Sequence, residues 1–453
     1  MRSAARIAPP VTDPGSDGAD LLARLDRIPV WPYGQRLLWV IGAGYFFAFF
    51  DIMTIGLALP VIASQFDVSS STAALAVTAS LVGYIVGALV NSRIADLRGR
   101  RLALMISVCV FTAGTLAAAL SPSIGWLIAF RFVAGMGIGA EIAGVTTYVG
   151  ELSPARMRGT STTRVTLMAF AGLAVVPLVA RALVPSFEDG WRVLFLLGAL
   201  GGLTVATLRR NLPPSARWLL TRGRRREAER VVISAEREAR ALTGGELPEV
   251  DSPAAAPAQR PSRGLFERQA ALFVAIWFVY YIGSYGWLTM APTLLTDHGF
   301  SLTSSLSFLV AAGAGFVVGA FAATRLADRV ERRRTTSIAA GAWAVALLVI
   351  GLAPSPAVIM LVGFAAAALN GFQVPLLYTY TAEHFPTHAR ATGVAFTDGL
   401  GHVGGALAPL IVLAANQTWG FAGAFVVMAA TGAIAAALLL LARPMTGVPL
   451  AAT

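Results

Sequence analysis

"RIADLRGRR" occupies Arg93–Arg101 and "RLADRVERR" occupies Arg325–Arg333, and Arg93 stands 232 residues before Arg325, as Asp96 does before Asp328. The same offset links Tyr148, Glu151, Pro154 and Arg158 in "YVGELSPARMRG" to Tyr380, Glu383, Pro386 and Arg390 in "YTAEHFPTHARATG". It also links Pro60 to Pro292. A single offset kept by separate anchors is an internal repeat, so the chain is two copies of one design.

Composition says what is repeated. The 453 residues are 56% hydrophobic and 13% charged, too apolar for an ordinary soluble protein. Apolar stretches of about 20 residues, enough to cross a hydrocarbon core of roughly 30 Å, recur twelve times. They cover 37–62, 73–92, 102–121, 125–148, 164–184, 191–208, 270–294, 303–324, 336–353, 356–381, 392–414 and 420–442. Lipid offers no partner to a bare amide or carbonyl, so segments of this length are helices. The expected fold class is an all-α membrane protein of twelve transmembrane helices arranged as two pseudo-symmetric six-helix bundles. Its parts are a cytoplasmic tail (1–36), a first bundle (37–208), a linker with a helical segment (209–269), a second bundle (270–442) and a short tail (443–453).

The net charge of +11 comes entirely from arginine among the strong bases. Outside the central linker, thirteen arginines fall in the loops after even-numbered spans and two, Arg181 and Arg192, on the other side. That asymmetry places both termini in the cytoplasm. The charge therefore marks orientation and contact with anionic lipid, and no nucleic-acid partner is expected. Cys109 is the only cysteine, which excludes an intrachain disulfide. No cleavable signal segment is read in residues 1–20, and "ADLLARLDRIPVWP" (19–32) reads as a short amphipathic helix on the inner membrane surface. Without lysine there is no phosphate-binding loop for an ATP-driven pump, and His384 and His388 flank Pro386, which breaks the helix that would align them on a metal. No cofactor, metal or covalent chemistry is expected.

Four motifs carry a family resemblance: the Asp-x-x-Gly-Arg-Arg core of the opening run, "RFVAGMGIG" (131–139), the E-x-x-P-x-x-x-R-G pattern from Glu151, and "PPSARWLLTRGR" (213–224). Together they resemble the major facilitator superfamily over residues 25–443, nearest its sugar-porter and proton-coupled organic-acid or nicotinate-type branches. The resemblance implies alternating access of two halves around a mid-membrane site. It also implies that Asp96, Arg100, Arg101, Glu151 and Arg158, with Asp328, Arg332, Arg333, Glu383 and Arg390, form charge bridges that hold a cytoplasmic gate.

Ionisable groups inside spans are costly and point to function. Asp51 lies roughly 21 Å above the inner end of the first span, and Arg131 lies at a similar depth on the fourth. In the resembling proton-coupled porters this acid and arginine form a protonation switch; the competing reading is a permanent structural pair. Glu141, nearer the cytoplasm, and Asp398 with His402 one turn on are further candidates for proton coupling; packing between helices is their alternative. Trp277, Tyr280, Tyr281 and Tyr285, with Asn370 and Gln373, offer aromatic bodies and amides for a small solute or, alternatively, for helix packing. Helix seven reads "WFVYYIGSYGW" without the paired glutamines of sugar porters, and Arg131 suits a carboxylate better than an uncharged sugar.

The expectation is thus a monomeric transporter that takes up a small organic acid with protons across the plasma membrane. An exporter of drugs or metabolites, a sugar or polyol symporter, and a transport-dead receptor or scaffold are the alternatives.

Overall fold

The computed structural model describes residues 18–154, 157–250, 263–326, 329–385 and 390–445. Every regular element among them is helical. Six long helices form the first half: α2 (Gly34–Gln65), α3 (Ser70–Arg98), α4 (Arg100–Ala119), α5 (Ile124–Leu152), α6 (Arg158–Leu183) and α7 (Gly190–Leu208), preceded by short α1 (Ala19–Asp26). Two helices, α8 (Ala216–Thr221) and α9 (Arg225–Thr243), follow in the linker. The second half holds α10 (Arg263–Asp297), α11 (Leu302–Leu326), α12 (Arg332–Leu352), α13 (Pro356–Glu383) and α14 (Arg390–Leu439). Within α14, Gly420 has φ 69° and ψ −171°, a backbone state natural only to glycine, and the chain reverses there. The last element is therefore two crossings, and the total among the described residues is twelve. Helix α10 starts at Arg263, seven residues ahead of the span expected from hydropathy.

The repeat holds at the level of atoms in contact. In the first half Gly83 and Gly87 lie against the carbonyls of Phe132 and Met136, so close that a Cβ would sit 2.1 and 1.9 Å from them. In the second half Gly315 and Gly319 meet the carbonyls of Phe364 and Ala368 at 2.3 and 1.8 Å. All four positions of one set lie 232 residues before those of the other. Gly139 against Tyr84 and Gly371 against Phe316 repeat the relation. Between helices in lipid there is little hydrophobic drive, so small residues that let backbones touch supply the packing.

The ion pairs of the arginine-rich loops repeat as well. Arg100 reaches Glu151 at 2.9 Å and Arg332 reaches Glu383 at 2.5 Å. Arg101 and Arg333 donate to backbone carbonyls of Arg210 and Leu440, near the ends of the sixth and twelfth crossings. Tyr148 and Tyr380 likewise bond the carbonyls of Pro213 and Arg443.

The halves meet through α3 with α14 and α6 with α11. On the face opposite the arginine-rich loops the contacts are close: a Cβ on Gly56 would lie 2.4 Å from the Thr289 carbonyl, Gln417 donates to Ser71 at 2.8 Å, and Arg181 donates to Ser307 at 2.7 Å. On the arginine-rich face the described ion pairs named above each join residues of one half.

Helix α1 corrects one expectation. Its apolar face, Leu21 and Leu25 with Ile28 beyond, does not lie on lipid; it packs on Leu219 of α8 and on Ala228, Val232, Ala235 and Ala239 of α9. Helix α9 is itself amphipathic, so protein covers what hydropathy alone assigns to the membrane. Charge fixes the register: Arg24 and Arg27 grip Glu236 at 2.7 and 2.8 Å, Arg217 meets Asp26 at 2.6 Å and Arg225 meets Asp20 at 2.9 Å. Burial works against the charge on Glu236, yet the two guanidiniums hold its carboxyl below the usual range. A depressed carboxyl stabilises the docked state above its unfolded value and stops doing so as pH falls through the lower folded value. Glu236→Ala is therefore expected to speed tryptic cleavage after Arg24 and Arg27 by about tenfold or more at neutral pH, with the difference from wild type closing in acid. Equal cleavage of both proteins at neutral pH would show that the apolar face alone holds α1.

Candidate functional site

In the first half, α5 brings Arg131 to α3 through Gly135, whose added Cβ would lie 1.9 Å from the Ser80 carbonyl. At that distance the Arg131 Nη2 donates to Ser80 Oγ at 3.0 Å, while Nη1 meets Asp51 Oδ2 of α2 at 2.7 Å. The other carboxylate oxygen accepts from Thr115 of α4 at 3.1 Å, and the Phe195 ring lies 5.2 Å from the guanidinium carbon. The acid is 1% exposed and the arginine 0%. Five helices, α2, α3, α4, α5 and α7, thus converge on one buried pair.

A second pair lies beneath it. Glu141 does not join Asp51 or Arg131; its Oε1 is 2.6 Å from Arg209 Nη2, and Ser107 donates to its Oε2 at 2.7 Å. Arg209 also donates to the Ile41 carbonyl at 2.8 Å. Gly44 leaves room for both charges, since a Cβ there would stand 2.0 Å from Arg209 Nη2 and 2.4 Å from Glu141 Oε1. Gly44 and Asp51 are seven residues apart on α2, two turns on one face and roughly 10 Å. The two tiers share a plan of acid, arginine and a hydroxyl from α4; the acid moves from α2 to α5, and the arginine from α5 to the turn that follows α7.

The second half carries the aromatic residues, and the structure divides them. Tyr280 donates to Asn370 at 2.8 Å, Asn370 donates to Ser284 at 3.0 Å, and the Tyr280 ring packs on Trp343 of α12. This group is interior to its own half. Gln373 is buried with neither amide atom bonded. It stands 232 residues after Glu141, but Leu441 and Ala339 stand where Arg209 and Ser107 would have to be. The repeat kept an amide and lost its partners.

Tyr281 and Tyr285 face the other half instead. Tyr281 and Tyr378 both donate to Asp398 Oδ1, each at 2.6 Å. Their own oxygens lie 3.1 Å apart, and with both hydrogens committed to the carboxylate neither donates to the other. Trp277 packs against Tyr378 and Tyr281 at 4.6 and 5.0 Å and donates its indole N–H to Thr381. His402 Nδ1 is 2.8 Å from the Asp398 carbonyl, which can only accept, so that nitrogen carries the hydrogen. Nε2 lies 3.2 Å from the Tyr285 hydroxyl, so both ring nitrogens have a partner. The ring stacks nearly parallel on Tyr84 of the first half at 4.2 Å. Ser80 and Tyr84 are one turn apart on α3, so one helix touches Arg131 with the first residue and His402 with the second.

Of the gate candidates, Arg100 bonds Asp96 at 2.5 Å as well as Glu151. The Asp96 carbonyl accepts from Trp218 and Arg222 of the linker. Asp328 and the side chains of Arg158 and Arg390 lie outside the described residues. Sequence reading missed Arg209, Ser80, Tyr84, Thr115, Ser107 and Tyr378. Only Arg209 left a signal, as a charge directly abutting the sixth apolar span.

Comparison with known proteins agrees with this architecture. The niacin transporter NiaP of Acinetobacter baylyi is 29% identical over 403 residues, covering 87% of this chain and 90% of that one. The 4-hydroxybenzoate transporter PcaK of the same organism is 31% identical over 428 residues, with 88% and 91% covered. Among solved structures, the xylose transporter XylE from E. coli in a partially occluded inward-open conformation superposes with a TM-score of 0.72 at 20% identity, covering 91% of this chain and 98% of that one. The family model of the Major Facilitator Superfamily matches residues 41–330 and 278–451. With twelve crossings in two repeated halves and matches that span nearly the whole chain, this protein is a multi-pass membrane transporter of the Major Facilitator Superfamily.

Proposed function

We propose that the protein takes up a small organic acid together with protons across the plasma membrane, its termini and arginine-rich face lying in the cytoplasm. The observation that carries this reading is the Asp51–Arg131 pair. An acid and a base wholly withdrawn from water, 2.7 Å apart and at the depth of the expected substrate site, make a switch that one proton can open. A proton on Asp51 removes the countercharge of Arg131, which is then drawn to the carboxylate of a substrate. Proton and solute thereby favour the same state, which is what coupling requires. The names of the relatives, a niacin transporter and a 4-hydroxybenzoate transporter, support a ring-bearing carboxylate as the solute class.

Close contact on the face opposite the arginine-rich loops supports an inward-facing state. In the outward-facing state the repeated sets of Asp96, Arg100, Arg101, Glu151 and Arg158, and of Asp328, Arg332, Arg333, Glu383 and Arg390, approach each other and close the inner gate.

Reconstituted vesicles test the direction and the coupling. Uptake of radiolabelled 4-hydroxybenzoate or nicotinate is expected to rise several-fold when the outside is acid. Uptake indifferent to the gradient would end the proton-coupled reading, and stimulation by an acid interior would make the protein an exporter.

A further inference from the structure

Asp398 is a carboxylate at the boundary between the halves with no arginine beside it among the described residues. Arg131 is committed to Asp51 and Arg209 to Glu141. His402, 3.6 Å from the carboxylate at Nδ1, directs that nitrogen to the Asp398 backbone carbonyl at 2.8 Å instead, and its Nε2 to Tyr285. The other titratable groups around Asp398 are Tyr281 and Tyr285 of α10, Tyr378 of α13, and Tyr84 and Tyr45 of the first half. All are phenols. An ionised acid without a countercharge is expensive at this depth, and the two tyrosine hydrogens that offset the cost both go to Oδ1. Oδ2 accepts no hydrogen bond from the described residues, and the side chain keeps 15% of its surface exposed.

The walls have a chemistry of their own. Trp277, Tyr281 and Tyr378 pack ring on ring beside the carboxylate, and Tyr84 closes the group from the other half across the His402 ring. The faces of such rings are negative, and aromatic walls around a carboxylate are a setting in which a positive nitrogen is held more strongly than a neutral ring. We propose that Asp398, with Trp277, Tyr281 and Tyr378, is a subsite for a positively charged nitrogen of the substrate. The transported acid is then a zwitterion, its carboxylate going to Arg131 and its cationic nitrogen to Asp398. This deepens the organic-acid reading and rests on it. It also gives Asp398 a role other than the second proton site expected from its spacing to His402: the countercharge arrives with the solute.

Purified full-length protein, titrated by calorimetry with four probes, tests this. Nicotinate and its N-methylated form differ by a fixed positive charge on the ring; benzoate lacks the nitrogen, and N-methylpyridinium lacks the carboxylate. Wild type is expected to bind N-methylnicotinate at least tenfold more tightly than nicotinate or benzoate, and Asp398→Asn is expected to erase that preference while still binding nicotinate. Equal or tighter binding of nicotinate or benzoate by wild type overturns the subsite and leaves the organic-acid reading standing. Preference surviving in Asp398→Asn, or no binding of any probe, overturns it too. Binding of N-methylpyridinium as tightly as the zwitterion supports the subsite and overturns the organic-acid reading.

Discussion

Vesicles carrying Asp51→Asn are expected to exchange labelled for unlabelled solute at close to the wild-type rate, yet to show no accumulation when the outside is two pH units more acid. Such a gradient offers about a hundredfold accumulation per proton carried. Coupling needs a group that is charged in one state and neutral in the other, and asparagine is fixed in the neutral form. The change preserves shape, and Thr115 can still donate to the amide oxygen. Arg131 loses its countercharge, which by itself costs several kcal/mol in a buried site. The bonds to Ser80 and to the Asp51 carbonyl remain, and a substrate carboxylate can take the place that Asp51 leaves. Exchange therefore survives, because the cycle between loaded states no longer needs a proton to free the arginine. A pair that served packing alone would behave in the opposite way: Asp51→Asn would lower stability and exchange together and leave any residual accumulation tied to the gradient. Uphill accumulation by the variant would remove Asp51 from the mechanism.

The crossings and their twofold repetition could be read from sequence because lipid imposes a rule with few solutions: long apolar helices, and small residues wherever two backbones touch. That rule writes the offset of 232 into glycines, prolines and loop charges alike. The Asp51–Arg131 pair was readable for the same reason, since charged side chains are rare enough inside spans that depth alone matches them. Two kinds of feature escaped. Hydropathy registers that α1 has an apolar face but cannot distinguish lipid from α9 as its cover. It also ends the sixth span at residue 208, so Arg209 counts as loop although the chain turns it back under α2 to meet Glu141, 68 positions earlier. The aromatic stripe divided for a related reason. Tyr280 and Tyr281 are neighbours in sequence about 100° apart around α10, so one enters the interior of its own half and the other faces Asp398.

The Glu141–Arg209 pair sets a stability test whose outcome the second half already illustrates. At the repeat-related positions the second half buries Gln373 for Glu141, Ala339 for Ser107 and Ile276 for Gly44, and Leu441, in the place of Arg209, is 71% exposed, so that half folds with no charge in this place. Converting only Glu141 to Gln strands a guanidinium whose Nε and Nη1 already lack partners. Removing one member of a buried pair costs about 3–5 kcal/mol, which for a cooperative unfolding corresponds to roughly 10 °C. Arg209→Leu is expected to cost less, because an orphaned carboxyl can neutralise itself by taking a proton and keeps its bond from Ser107, whereas a guanidinium cannot lose its charge. The double variant, Glu141→Gln with Arg209→Leu, is expected to recover most of the loss seen with Glu141→Gln alone. Gly44→Ala is expected to act like the worst single change in wild type, where its methyl would collide with both charged groups, and to cost less in the double variant, where the guanidinium is gone and the residue 141 side chain is no longer held by it. Unfolding temperatures of the variants in detergent measure all of this. Additive losses in the double variant would mean that the two residues are stabilised by their separate surroundings, and that the ladder of two charge pairs along α2 is a coincidence of packing.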